Sequence, residues 1–245
     1  MQWNISSGLV RLLFIVFPFM FLSPLMADVM DGFDSPKLNP ELWEIKVAGK
    51  ASYTIDNGIL TMTSPNVEGS IILYFPQNIA DLEINFEVKM DTSTMGDHIV
   101  MGGIAKLMEP ATNLEIGYNW LSLFLLVPGS ATLKQDPDKP GQAFPPTDSE
   151  VPYQAGWRVF EIRFERDKTV FVIDGNEVGK VDKNKSLNER YFHISPDDFT
   201  THYMGEVKID YIKISGPGSV GLLAVDSLGK LATSWAKMKV PSTYP

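Results

Sequence analysis

The chain contains no cysteine, which excludes disulfide and thiol chemistry and leaves core burial alone to hold the fold. Bases are also in short supply: 21 Lys and Arg stand against 30 Asp and Glu, a formal net charge of −9. That balance argues against nucleic acid as a partner, because phosphate binding needs clustered cations. Histidine is scarce as well, three in 245 residues, and His98, His193 and His202 have no spacing that suggests a shared metal site. Helical periodicity is almost absent until the C-terminal end, and no internal repeat is visible.

The one long apolar run lies at the start. Arg11 is followed by Leu12 to Leu22, broken by Pro18, and the stretch ends in Ser23-Pro24-Leu25-Met26-Ala27. This reads as an export signal over residues 1–27 with cleavage before Asp28. The run is too short and too Pro-interrupted for a comfortable membrane span of about 20 apolar residues. The alternative is an uncleaved N-terminal anchor, the only route by which a membrane enters the reading. A secreted protein, extracellular or periplasmic, is the expectation. Asn184-Lys185-Ser186 fits a glycosylation acceptor, though three-residue matches arise by chance.

From Asp28 onward the pattern is one of short alternating segments between turn residues. Leu82, Ile84, Phe86, Val88 and Met90 alternate with Asp81, Glu83, Asn85, Glu87 and Lys89, the signature of a strand with one face in the core and one in water. Phe160, Ile162 and Phe164 alternate in the same way with Glu161, Arg163 and Glu165. Asp56-Asn57-Gly58 and Asp174-Gly175-Asn176 signal hairpins, since these residues tolerate positive φ. Further strands are expected near 69–75, 98–106, 112–119, 121–127, 189–194 and 205–215. The count predicts an all-β fold of two stacked antiparallel sheets in one domain over residues 28–216. Lys134 to Gly156 carries five prolines, Pro137, Pro140, Pro145, Pro146 and Pro152, and is expected to be a long functional loop. Residues 217–245 form a C-terminal extension with a short helix expected around 226–239.

An ordered set of pieces then carries a resemblance. Asp31-Gly32-Phe33-Asp34, Leu38-Asn39-Pro40, Trp43 and Asn57-Gly58-Ile59-Leu60 come first. Leu82 to Val88, Trp157 to Ile162 with Val170 to Gly175, and Val207 to Ile214 follow in order. Over residues 31–215 the chain resembles the concanavalin A-like lectin/glucanase superfamily: laminarinase-like, laminin-G-like and 3-keto-disaccharide hydrolase-like domains. The resemblance implies a two-sheet antiparallel jelly-roll sandwich. Because this superfamily holds glycosidases, lectins and adhesion modules, it does not by itself name a function.

The resemblance also lays Glu115-Ile116-Gly117-Tyr118-Asn119 over the laminarinase catalytic strand, which carries Glu-x-Asp-x-Glu. Alternate residues share a face, so that motif aims three acids at one sugar; here Glu115 is followed by Gly117 and Asn119. Retaining hydrolysis needs two carboxyl groups about 5 Å apart, and neither Gly117 nor Asn119 supplies one. Glu115 then reads either as a lone carboxylate for sugar hydroxyls, or a general base if the chain is an enzyme, or as an ordinary strand Glu paired with a Lys. Tyr118 and Trp120 suit stacking on a pyranose, yet alternation places them opposite Glu115, where core packing explains them. His98, ahead of Gly102-Gly103, is a further ligand-contact candidate or a plain strand-end residue. Glu83 and Glu87 form a substitute acid pair or a solvated surface with Arg163 and Lys89 as partners. Asp210 matches the closing-strand Asp that the resemblance links to a structural calcium; otherwise it is an exposed edge residue. Asp197-Asp198 and Asp136-x-Asp138 lack calcium-loop spacing.

The expectation is therefore a lectin-like protein that binds a polysaccharide or other glycan without two-carboxylate hydrolysis. A carbohydrate hydrolase or lyase of the 3-keto-disaccharide hydrolase-like type, with Glu115 as its base, is the enzyme alternative. A structural or adhesive surface module is the third.

Overall fold

A computed structural model describes residues 28–65, 69–94, 98–107, 118–134, 149–183, 188–196 and 205–219, with 105–107 and 118–120 described as backbone only. Among the described residues fifteen strands run in chain order: β1 Val29–Asp31, β2 Glu44–Gly49, β3 Ser52–Asp56, β4 Ile59–Ser64, β5 Gly69–Tyr74, β6 Ile84–Asp91, β7 Ile99–Leu107, β8 Tyr118–Val127, β9 Ser130–Lys134, β10 Ser149–Pro152, β11 Trp157–Phe164, β12 Lys168–Ile173, β13 Asn176–Asp182, β14 Tyr191–Ser195 and β15 Gly205–Ser215. One sheet of eight strands has the order β13-β12-β11-β6-β15-β4-β3, with β1 added against β15; the other, of seven, has the order β10-β9-β8-β7-β14-β5-β2. Neighbouring strands pair antiparallel. The predicted jelly-roll sandwich is what forms.

The alternating sequences make the eight-stranded sheet two-sided. Along β6, Ile84, Phe86, Val88 and Met90 enter the core while Asn85, Glu87 and Lys89 stay half-buried on the outer face. Phe160, Ile162 and Phe164 of β11 and Val207, Ile209, Ile212 and Ile214 of β15 join them from the neighbouring strands. From the facing sheet come Ile71 and Leu73, Met101, Phe124 and Leu126, and Phe192 and Ile194. Burying a side chain of this size stabilises by about 1.5–3 kcal/mol, so this interlayer supplies what disulfides cannot.

Both hairpin turns form as read. Asn57 and Gly58 take φ of 50° and 77°, and Asp174 and Gly175 take 49° and 79°. Two consecutive positive φ values match the right-handed twist of the flanking strands. The superfamily-like opening also acquires a structural cause. Asp31 accepts the Phe33 backbone N–H through Oδ1 and the Trp43 indole N–H through Oδ2, each at 3.0 Å, and Trp43 packs edge-on against Phe75.

Some expectations shift. The end of the Lys134–Gly156 stretch is not loop: Ser149–Pro152 is β10, paired with β9. It is an edge strand, where the missing N–H of Pro152 breaks no inner ladder. The separate strands expected at 112–119 and 121–127 are replaced, from residue 118 on, by one continuous β8. The strand expected from Leu82 starts at Ile84, because the Leu82 N–H turns back to the Ile79 carbonyl. The export segment, Asn184-Lys185-Ser186, Asp136, Asp138, Asp197, Asp198, His202 and the helix expected around 226–239 lie outside the described residues. Among the described residues no helix is long and apolar enough to cross a membrane.

Candidate functional site

The outer face of the seven-stranded sheet is where the sequence reading puts ligand contact. Its rows follow from the register. Glu44 of β2 is opposite Tyr74 of β5, Tyr74 opposite His193 of β14, His193 opposite Gly102 of β7, Gly102 opposite Leu123 of β8, and Leu123 opposite Lys134 of β9. Directly opposed residues share a face, so these six cross the sheet as a line. A second line joins Ser195, Val100, Leu125, Thr132 and Glu150.

This face differs from its counterpart on the other sheet. Every residue of β5 is buried, and Ile72, Val100, Leu121 and Leu123 are buried although they point away from the interlayer core. The sequence shows the consequence: β5, β7, β8 and β14 read as near-continuous apolar runs, as strands covered on both faces do. None of these four inner strands contains an Asp or a Glu. The face's carboxylates on described strands sit at its opposite edges, Glu44 on β2 and Glu150 on β10. Six strand spacings separate them, about 29 Å at about 4.8 Å each.

The polar groups cluster toward the β2 edge. The Tyr74 hydroxyl donates to Glu44 Oε2. Burial raises the Tyr74 phenol well above its usual range, and the hydrogen bond and charge of Glu44 push it further. Tyr191, half-buried, is raised by its own burial and by the charge of Glu189. His193 is fully enclosed, and desolvation lowers it to about 4, partly offset by its bond to Gly102. Its Nδ1 lies 3.0 Å from the Gly102 carbonyl oxygen. A carbonyl only accepts, so the neutral ring carries its proton on Nδ1. Neither His193 nor Tyr74 is tuned to move a proton near neutral pH.

The Gly102-Gly103 pair admits protein rather than ligand. A Cβ on Gly102 would sit 2.5 Å from Leu123 Cβ, so the β8 backbone needs that space, and Arg190 Cγ lies 3.3 Å from where a Cβ of Gly103 would be. Arg190 is itself buried, donates to Thr169 Oγ1 at 3.1 Å and lies over the Phe164 ring.

The sequence-named residues fall as follows. His98 is half-buried, one residue ahead of β7. Asn119 and Trp120 are the second and third residues of β8, with Trp120 opposite Ile104, and they are described as backbone only. Glu115 and Gly117 lie outside the described residues. Glu87 accepts from the Tyr211 hydroxyl at 2.9 Å on the outer face of the other sheet, while exposed Glu83, just ahead of β6, has Arg166 at 4.0 Å. The partners expected for them differ: Arg163 grips Glu161 instead, and Lys89 pairs with Asp210 at 2.6 Å. Asp210 sits in the β15 bulge between Ile209 and Tyr211. Among the described residues no three His, Asp or Glu come together to hold a metal ion. Glu44, Tyr74 and Tyr191 were not anticipated, since residues from three strands far apart in sequence leave no local spacing to read.

No family model matches the chain, and no curated protein matches it closely by sequence. Solved structures do. The endo-β-1,3-glucanase from Pyrococcus furiosus is 14% identical at a TM-score of 0.51, covering 77% of this chain and 93% of its own. The κ-carrageenase from Pseudoalteromonas carrageenovora, in complex with an oligotetrasaccharide of κ-carrageenan, is 12% identical at 0.51, covering 82% and 98%. The chain has the concanavalin A-like jelly-roll fold. The GlcNAcα1-4Gal-releasing endo-β-galactosidase from Clostridium perfringens shares this jelly roll at 14% identity and a TM-score of 0.50; the match covers 78% of this chain and 62% of that larger one. These neighbours are concanavalin A-like glycoside hydrolases.

Proposed function

We propose that the protein is secreted and binds glycans on the outer face of the seven-stranded sheet without cleaving them by the two-carboxylate route. The observation that carries this reading is that, among the described residues, the four inner strands β5, β7, β8 and β14 contain no Asp or Glu. A jelly-roll glycosidase needs two carboxyl groups within about 10 Å of each other. The buried, neutral His193 and the protonated Tyr74 supply no acid-base pair in place of the missing carboxylates. Neighbours named for action on glucan, carrageenan and galactoside chains support a glycan as the partner. Glu115, Gly117, Asn119 and His98 are the proposed contact residues. A calcium ion at Asp210 would have to displace Lys89, and the reading does not depend on one.

Calorimetric titration of the full chain against β-1,3-glucan, galactan and carrageenan oligosaccharides tests it, with reducing-end release followed in parallel. Binding that weakens in Glu115→Ala, with no new reducing ends, is expected. Binding to no glycan, or binding indifferent to Glu115→Ala, overturns the reading. Release of reducing ends abolished by Glu115→Ala would replace it with the hydrolase alternative.

A further inference from the structure

The β2 edge of this face holds a second group of residues that the Glu115 reading does not use. Tyr74 and His193 are directly opposite, and Tyr191 lies two residues before His193 on the same face of β14. The two tyrosines are therefore diagonal neighbours, about 7–8 Å apart and within reach of one another's rings. Tyr191 is half-buried, and Tyr74 is 8% exposed. Exposed Glu44 borders the group on one side and exposed Glu189 on the other.

Each part has a use in holding a sugar. A carboxylate offers about four acceptor positions, and Tyr74 fills one of Glu44's, which fixes its orientation while the others face water. Vicinal sugar hydroxyls are donors for such acceptors. A half-exposed tyrosine ring suits the apolar C–H side of a pyranose. Beside them on the same face, His193 of β14 and Ile72 of β5 are buried, so the group has water-poor neighbours, where hydrogen bonds are stronger than in bulk solvent. Lys46, two residues beyond Glu44 on the same face, is the only cation of β2, so the bordering charge stays acidic.

We propose that Glu44, Tyr74 and Tyr191 form a subsite for a neutral pyranose, selecting against sulfated or uronic acid residues. This rests on the glycan-binding reading above and extends the contact surface from β7–β8 to the β2 edge. The carboxylate reads the hydroxyls, the Tyr191 ring stacks, and the acidic border repels anionic substituents.

Calorimetry of the full chain with laminari-oligosaccharides, a sulfated galactan oligosaccharide and an oligouronate, each against wild type, Glu44→Gln, Tyr191→Ala and Glu115→Ala, provides the test. Glu44→Gln retains an acceptor for the Tyr74 hydroxyl, so its thermal midpoint is expected to match wild type and folding to be intact. The subsite predicts that the neutral glycan binds best, and that Glu44→Gln and Tyr191→Ala each weaken it by about fivefold or more. It also predicts that Glu44→Gln narrows the discrimination against the sulfated chain. Neutral-glycan binding lost in Glu115→Ala but unchanged in Glu44→Gln and Tyr191→Ala overturns the subsite and leaves the glycan-binding reading intact. Preference for the anionic chains overturns the selectivity, and no binding of any probe overturns both.

Discussion

The rings of Phe86 and Phe192 lie face to face, with centroids 4.0 Å apart and planes within 4°. Phe86 belongs to β6 of the eight-stranded sheet and Phe192 to β14 of the seven-stranded one, so this stack joins the two layers at mid-core. Phe75 and Phe164 meet Phe86 edge-on at 5.5 and 6.2 Å, and Trp43 approaches Phe192. Removing either ring of the stack leaves a cavity that its rigid aromatic neighbours cannot fill. Phe192→Ala is expected to cost about 3–5 kcal/mol in urea unfolding. A double-mutant cycle with Phe86→Leu is expected to show coupling of about 1 kcal/mol. Additive losses would mean that the stack contributes area and nothing more.

How much of this was legible beforehand depends on where each strand lies. β6 and β11 face water on one side, so Phe86 and Glu87, or Phe160 and Glu161, declare their faces by alternation. The turns at Asn57-Gly58 and Asp174-Gly175 are equally plain, because positive φ restricts the residues allowed. β5, β7, β8 and β14 are buried on both sides, and there alternation disappears: Ser-Ile-Ile-Leu-Tyr gives no sign that Ile72 and Tyr74 face away from the core. The row from Glu44 through Tyr74 to His193 exists only after three remote strands pair, which no spacing encodes. β10 was hidden by Pro152, a residue that argues against a central strand and is tolerated at an edge.

The close approach of β8 to Gly102 predicts a graded effect along β7. A Cβ at Gly102 meets Leu123 Cβ at 2.5 Å, Leu123 Cα at 2.6 Å and the Ser122 carbonyl oxygen at 2.6 Å. Two of these are backbone atoms of a paired strand, which cannot step aside without breaking the ladder. Gly103 meets the Arg190 side chain first, at 3.3 Å, a contact that shifts by a few tenths of an ångström. Gly102→Ala is therefore expected to lower stability by about 1–3 kcal/mol and Gly103→Ala by less, read as thermal midpoints of the two variants. Equal losses would show that the Arg190 cavity is as unyielding as the β8 backbone.

The Lys89–Asp210 pair bears on calcium. The ammonium lies 2.6 Å from Asp210 Oδ2, with both side chains more than a third exposed, and an exposed pair of this kind contributes only about 0–1 kcal/mol. A calcium ion at Asp210 has to displace that ammonium and recruit several further oxygens. Millimolar calcium or chelator is accordingly expected to leave the thermal midpoint where it was. A rise of several degrees with calcium, lost in Asp210→Asn, would show instead that the ion takes the place of Lys89.

The enclosure of His193 makes the fold sensitive to acid. In the unfolded chain its imidazole protonates near the usual value of about 6.5, whereas enclosure lowers it to about 4 in the native protein. Between those values the unfolded state binds the proton and the native state does not, so stability rises with pH across that interval. The contribution is complete above about pH 6.5 and falls away as pH drops toward 4, a loss on the order of 3 kcal/mol by the shift alone. Acid unfolding midpoints measured from pH 7 to 5 are expected to decline in wild type. In His193→Gln, whose amide can still donate to the Gly102 carbonyl, the decline over that range is expected to flatten. A variant that tracks the wild-type slope would assign the acid sensitivity to other groups and leave His193 as a silent member of the β14 row.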